Sequence, residues 1–483
     1  MISFLVGVLA LILGYVIYGA VVERVFTIDP KRKTPAVRIN DGVDFMVIPT
    51  WRATLIQFLN IAGTGPIFGA IAGALWGPAA FAWIVFGCIF AGAVHDFFCG
   101  MLSLRNDGAT IAELVGMYLG RIPKYIMRVF SVVLLIFVGV VFVYTPAQVL
   151  NIIINPDNPQ IFSIALVLIV AYYILATILP IDKLIGRIYP IFGAALLIMG
   201  LGISIMLFIS GDARVIPEFT FKNLHPKGSA LFPFLFISIA CGAISGFHAT
   251  QSPLMARCLR NETDGRKVFY GAMILEGIVA MIWAAAAMGH FGSQEGLAAA
   301  GTAASVVTTV SVDLMGVVGG ALAVLGVVAC PITSGDTAFR SARLAIADAL
   351  KVDQRPIKNR FIIALPLFAI GIVLVLWSQR SAENFSKVWR YFAWSNQTLG
   401  TIALWAMSAY LAKTGKFYWI TLIPGLFMTV VVTSYIIVAP EGFKLPYTAG
   451  IAGGLILTAV LCILFIRAYH GRIRAEPSEV LRT

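Results

Sequence analysis

Five side chains stand inside long apolar runs where they could bind or move a proton or a small ion: Asp96, His248, Glu276, Thr333 and Ser334. Ionisable groups at such depth are expensive and tend to mark ion or substrate pathways. Depth follows from the distance to the nearest cation flanking each run. Asp96 lies nine residues from Arg105, Glu276 nine from Lys267 and His248 nine from Arg257, about 13 Å along a helix. Gly63 lies eleven residues from Arg52, about 16 Å, and Thr333 seven from Arg340, about 10 Å. In a hydrocarbon core about 30 Å thick, these residues from different runs share one layer at or just below the midplane.

The chemistry open to each is limited by its type. Asp96 and Glu276 are candidate proton carriers, because removal from water favours a neutral acid; each could equally be the fixed partner of a neighbouring helix. His248, followed by Thr250, Gln251 and Ser252, could bind a carboxylate or carry a proton. His95 reads as a hydrogen-bonded packing residue. Thr333 and Ser334 either bond back to their own helix or, with nearby backbone carbonyls, offer the oxygen ligands a hard cation takes. Asp336, four residues before Arg340, reads as its ion-pair partner. Within 394–398, Trp-Ser-Asn-Gln-Thr interrupts another apolar run, and its amides suit cross-linking of helices.

The elements that position these groups are unusual. Within an apolar run over 54–75 lie Gly63, Thr64, Gly65 and Pro66, a sequence poorly suited to continuous helix. A second such place is Cys241-Gly-Ala-Ile-Ser-Gly-Phe-His248, containing Ser245 and Gly246. Unpaired backbone groups in hydrocarbon cost several kcal/mol, so a break there needs protein, water or a ligand to satisfy it. Transporters use mid-membrane breaks of this kind to grip substrate and ions.

The whole chain agrees. Its 483 residues are 59% hydrophobic and 12% charged with mean hydropathy +0.91, against about 25% charged for a soluble domain. No H-E-x-x-H, P-loop or G-x-G-x-x-G signature suggests an enzyme, and the six cysteines show no metal spacing. Thirteen spans can be drawn, near 2–22, 54–75, 78–103, 129–149, 161–180, 188–210, 231–253, 268–290, 314–337, 361–378, 391–411, 417–438 and 446–466. The first is not expected to be a cleaved signal, since no basic residue precedes it. Alternate loops, starting after span 1 and ending with the tail, hold 28 of the 35 cationic residues, and the opposite set holds 7. The positive-inside rule then predicts a periplasmic N-terminus and a cytoplasmic C-terminus. The net charge of +12 is thus a topology signal and does not point to nucleic acid.

Spans 2 and 7, both broken, run in opposite directions five spans apart, as a 5+5 inverted repeat requires. The expected division is a first helix and basic loop over 1–53, one repeat over 54–210 (spans 2–6), a second over 231–411 (spans 7–11), and two appended helices over 412–483. An interfacial helix is expected after span 3, carrying Ile111, Leu114, Val115, Tyr118 and Leu119. After span 8 comes a segment of small residues, 291–313.

Four motifs carry a family resemblance: Gly63-Thr-Gly-Pro66, Ala91-Gly-Ala-Val-His-Asp-Phe97, the run from Cys241 to Pro253, and Pro331-Ile-Thr-Ser-Gly-Asp-Thr-Ala-Phe-Arg340. In this order they resemble the carbon starvation protein A family of bacterial inner-membrane transporters, which is similar to the amino acid/polyamine/cation superfamily. The resemblance implies an all-α, LeuT-like fold and transport of peptides or, by proton coupling, of pyruvate. It implies substrate contacts at Gly63, Thr64, Gly65, Pro66, Ser245, Gly246 and His248, to which the polar residue Gln251 just beyond is added as a candidate. It also implies a sodium site at Thr333 and Ser334; Asp96 and Glu276 are the further coupling candidates that their depth suggests. Thr64 departs from the alanine expected there.

The reading is therefore a secondary transporter importing a small carboxylate such as pyruvate by H+ or Na+ symport. Spans 2, 3, 7 and 8 would rock against spans 4, 5, 9 and 10. Its expected partners are substrate, coupling cation and bilayer, with no cofactor beyond a bound Na+. Alternatives are di- or tripeptide uptake, a transporter-like nutrient sensor (for which the short tail after span 13 offers no signalling domain) or a channel.

Overall fold

The computed structural model describes residues 1–42, 45–178, 182–220, 222–354 and 356–473. Most of the C-terminal tail, with part of its basic count, lies outside the described residues. Among those described, the regular structure is helical throughout. Ten helices are long and apolar enough to cross a bilayer, and the bent pair Thr50–Ile61 and Thr64–Trp76 makes an eleventh span. Two further spans drawn from sequence do not pass as continuous apolar helices. One is broken between Phe234–Ser238 and Gly246–Ala256. The other is the long helix Ala382–Lys413, whose polar face lowers its hydropathy.

Spans 3 (Ala79–Arg105) and 8 (Glu262–His290) form the centre, and nearly every side chain along them is buried. The small residues of span 3 make this possible: a Cβ on Gly92 would collide with the Ala243 carbonyl and the Met273 side chain. Span 1 (Ile2–Phe26) packs on this centre through Phe4, Leu11 and Phe26, and leaves Ile2, Val6, Leu9 and Ile17 exposed for lipid. Span 13 (Tyr447–Tyr469) likewise exposes Leu455, Ile456 and Leu464.

The alternation of loops is visible in their contacts. At one end, the loops after spans 1, 3 and 7 gather on the fully buried carboxylate of Glu262. It receives Arg105 in a two-pronged pair at 3.0 and 2.8 Å, Arg32 at 3.2 Å and the Asp29 amide at 2.9 Å. Arg105 also donates to the Thr27 carbonyl and to Tyr410 of span 11. At the other end, His290 of span 8 stands between Asp212 and Asp313, 3.1 Å from each.

A helix forms over Ile111–Leu119, where an interfacial one was expected, with Thr110 and Glu113 closing a capping box and Ile111, Leu114 and Val115 turned inward. The small-residue segment 291–313 is not featureless. It holds Gln294–Ala299 and the start of Ala303–Ala323, capped by Ser293 and Thr302. The chain then turns at Gly316, whose φ of 59° only glycine adopts without strain, before span 9 enters the bundle.

Candidate functional site

Span 2 breaks over less of its length than its sequence suggests. Helix ends at Ile61, only Ala62 and Gly63 leave it, and helix resumes at Thr64 with a 51° bend. Thr64, Gly65 and Pro66 are thus not unwound; they form the first turn of the second half. The physical reason is that first-turn amides have no intrahelical partner, so a proline there forfeits no hydrogen bond. Span 7 is open for longer: it leaves helix after Ser238 and resumes at Gly246. His248 therefore sits in the first turn of the second half, and not in the unwound stretch.

The two breaks touch. A Cβ on Gly65 would run into the thiol and Cβ of Cys241, and one on Gly242 would lie 3.9 Å from Pro66. Gly63 faces the ring of Phe142 on span 4. Gly246 faces the backbone of span 11 at Asn396 and Gly400, so its role is close approach between helices.

The polar run 394–398 does not interrupt span 11, which stays helical across it. Its amides serve span 7. Asn396 Oδ1 accepts from the Phe247 amide at 2.7 Å and from Ser245 Oγ at 3.1 Å, and Asn396 Nδ2 points at Cys241 Sγ. Gln397 Nε2 donates to the carbonyls of Phe236 and Ile239, and Trp83 Nε1 adds a bond to Ile239. The protein itself therefore satisfies much of what the span 7 break exposes. Sequence alone offered the amides but not their target.

Asp96, His248 and Glu276 converge as one group from spans 3, 7 and 8. His248 Nδ1 is 2.7 Å from Asp96 Oδ2, and its Nε2 is 3.3 Å from Glu276 Oε2. The other oxygen of Asp96 meets His95 Nδ1 at 2.8 Å, and His95 Nε2 faces the Cys99 thiol at 3.7 Å. All four charged or chargeable residues are fully buried. His95, read from sequence as packing, is the outer member of this set. Around it lie buried polar atoms with no hydrogen-bond partner: both oxygens of Glu276, Thr64 Oγ1, Gln57 Oε1 and Gln251 Oε1. Gln251 Nε2 bonds only to Thr250, and Gln57 Nε2 reaches Ser252 Oγ at 3.5 Å.

Thr333 and Ser334 do not join this group; they face span 2 from span 9. Thr333 Oγ1 bonds back to the Cys330 carbonyl at 2.7 Å. Ser334 Oγ shares that carbonyl at 3.1 Å and also reaches the Leu59 carbonyl, one turn before the break, at 3.4 Å. Asp336 pairs with Arg340 at 3.3 Å, as its spacing implied.

Two broken helices packed break to break, with a buried acid–imidazole group beside them, define the architecture of a secondary transporter. The chain belongs to the carbon starvation protein CstA family, whose description matches residues 1–165, 160–292 and 285–435. A Haemophilus influenzae protein called an uncharacterized membrane protein is 45% identical over 345 residues, 62% of this chain and 93% of that one. The peptide transporter CstA of Escherichia coli is 25% identical over 86% of this chain and 77% of its own length. The pyruvate/proton symporter BtsT of the same organism is 30% identical over 54% of this chain and 45% of its own length. Among solved structures, a Na+-coupled sialic acid symporter aligns with TM-score 0.52 at 13% identity, covering 95% of both chains. The Eremococcus coleocola manganese transporter aligns with TM-score 0.53 at 13% identity, covering 92% of this chain and 99% of that one. At such identity these show the fold alone, and that fold is the LeuT-like one.

Proposed function

We propose that the chain imports a small carboxylate such as pyruvate by cation symport with alternating access. The observation that carries this is the contact of the two breaks beside buried polar atoms with no partner. Thr64 Oγ1, Gln251 Oε1 and Glu276 are desolvated here without compensation, a cost that a bound polar ligand would offset. A carboxylate suits the first-turn amides of Thr64 and Gly65, where the helix dipole favours negative charge. Thr64, Asp96, Ser245, His248, Gln251 and Glu276 are all buried, so substrate entry requires the spans around them to part. Rocking of spans 2, 3, 7 and 8 against spans 4, 5, 9 and 10 would do this from either side.

Peptide uptake is the second reading, and the relatives named as peptide transporters favour it. A peptide amine needs a free carboxylate. Asp96 has both oxygens engaged by His95 and His248, so Glu276 Oε1 is the carboxylate oxygen left for such an amine. Two places suit the coupling cation: the hydroxyls of Thr333 and Ser334 by the Leu59 carbonyl for sodium, and the acid–imidazole group for a proton. Uptake of labelled pyruvate and of dipeptides into proteoliposomes, with proton and sodium gradients imposed separately, tests both choices. Concentrative pyruvate uptake is the expected result. Accumulation of neither substrate under any gradient would remove the proposal.

A further inference from the structure

We infer that Asp96, His248 and Glu276 form a proton-loading clasp, in which Glu276 takes up the transported proton and His248 ties the second half of span 7 to spans 3 and 8. The inference rests on the reading of the chain as a cation-coupled transporter, and it moves His248 from substrate contact to ion coupling.

The first step is to place the protons. With the Cys99 thiol taken as donor to His95 Nε2, the remaining ring N–H of His95, on Nδ1, donates to Asp96. Asp96 is then an acceptor on both oxygens and stays ionised, with His248 Nδ1–H as its second donor. One proton remains between His248 Nε2 and Glu276 Oε2, 3.3 Å apart. Held on His248, it leaves Glu276 ionised, and the clasp carries one net negative charge. The charges acting on Glu276 are those of His248 and Asp96. The other ionisable groups facing the clasp are the thiols of Cys88 and Cys99 on span 3 and Cys241 on span 7, and a thiol is ordinarily neutral at pH 7. A single uncompensated charge at zero exposure is the arrangement a protein interior tolerates least.

One added proton removes it. The set becomes an Asp96 carboxylate, a His248 imidazolium and a neutral Glu276, with no net charge. Glu276 then accepts from Nε2–H and holds an acid O–H of its own. Glu276 Oε1 has no partner in the closed structure, so an O–H there is free for a substrate oxygen or an entering water. Loaded, the clasp can close and be buried; unloaded, its charge draws water and favours an open state. No electrons move: a proton from one side binds a carboxylate oxygen, and the same oxygen releases it to the other.

Infrared titration of the purified full chain in nanodiscs tests this without any substrate, so its outcome is separate from that of the uptake assay. The readout is the C=O stretch of a protonated carboxyl, followed from pH 5 to pH 10. Wild type should show a band that titrates away, and Glu276→Gln should lack it. Asp96→Asn removes one negative charge and should move the midpoint to lower pH. His248→Gln removes the positive charge and should move it to higher pH. A band that persists in Glu276→Gln overturns the proposal, as does a midpoint unmoved in Asp96→Asn. Should Glu276→Gln not be recovered folded, the opposite shifts in the other two variants decide it alone.

Discussion

Lys416, at the turn between spans 11 and 12, shows how one residue's setting fixes its titration. Its ammonium donates to the Phe26 carbonyl and to Thr27 Oγ1, both at 2.6 Å. Partial burial, followed by the nearby Arg105, nevertheless brings it down to about 8. The charged form is thus disfavoured in the folded chain. The cost is present in full below pH 8 and is relieved as pH rises from there toward the ordinary lysine value of about 10.5. Folded stability should therefore rise with pH across this window by a contribution that Lys416→Gln lacks. Thermal unfolding of both proteins at pH 7.5 and pH 9.5 measures it, and equal pH responses would refute it. At this scale the sequence revealed a common depth for Asp96, His248 and Glu276, because distance from a flanking cation can be counted. It did not reveal their contact, since rotation of a helix about its axis leaves depth unchanged. The engagement of both Asp96 oxygens, which decides how that carboxylate can act, was for the same reason not legible.

At the scale of the element, the seam between the two breaks is set by what glycine leaves out. Gly65→Ala places a methyl group against Cys241 and should destabilise the fold by about 1–3 kcal/mol, the usual effect of overpacking. Adding Cys241→Gly opens the space again, so the double variant should recover most of the lost thermal stability. A double variant no better than Gly65→Ala would mean that the backbone, and not the side-chain collision, governs the seam. The position of both breaks could be read from glycine and proline, but their extents could not. Proline is a helix breaker in mid-span and harmless in a first turn, and only the bend shows which applies to Pro66. The amides of Asn396 and Gln397 were hidden for a different reason: a side chain that caps another helix's backbone leaves no periodic trace on its own. The helices within 291–313 were missed because alanine, glycine and valine fit almost any pattern.

For the molecule as a whole, the proposed alternating access has a chemical reporter already built in. Cys241 lies on the span 7 break and is almost wholly buried, whereas Cys258 is partly exposed at the basic end. A small permeant maleimide should modify Cys258 well before Cys241, as read peptide by peptide in a mass spectrometer. The Cys241 rate should change when substrate and a gradient are supplied together. Equal rates at the two thiols, or a Cys241 rate indifferent to substrate and gradient, would argue against parting of the spans at the breaks. The global architecture was the most legible level, because hydropathy and the bias of lysine and arginine act over whole spans. Broken spans and the polar span 11 were the exceptions, since hydropathy averages cannot see a helix that stops halfway.

The buried carboxylate of Glu262 constrains how such parting can occur. A knot that joins three loops through one buried carboxylate resists loosening, because withdrawing the two-pronged Arg105 leaves the charge to Arg32 and one amide. The ends of spans 1, 3, 7 and 8 at that face must therefore travel as a single plate.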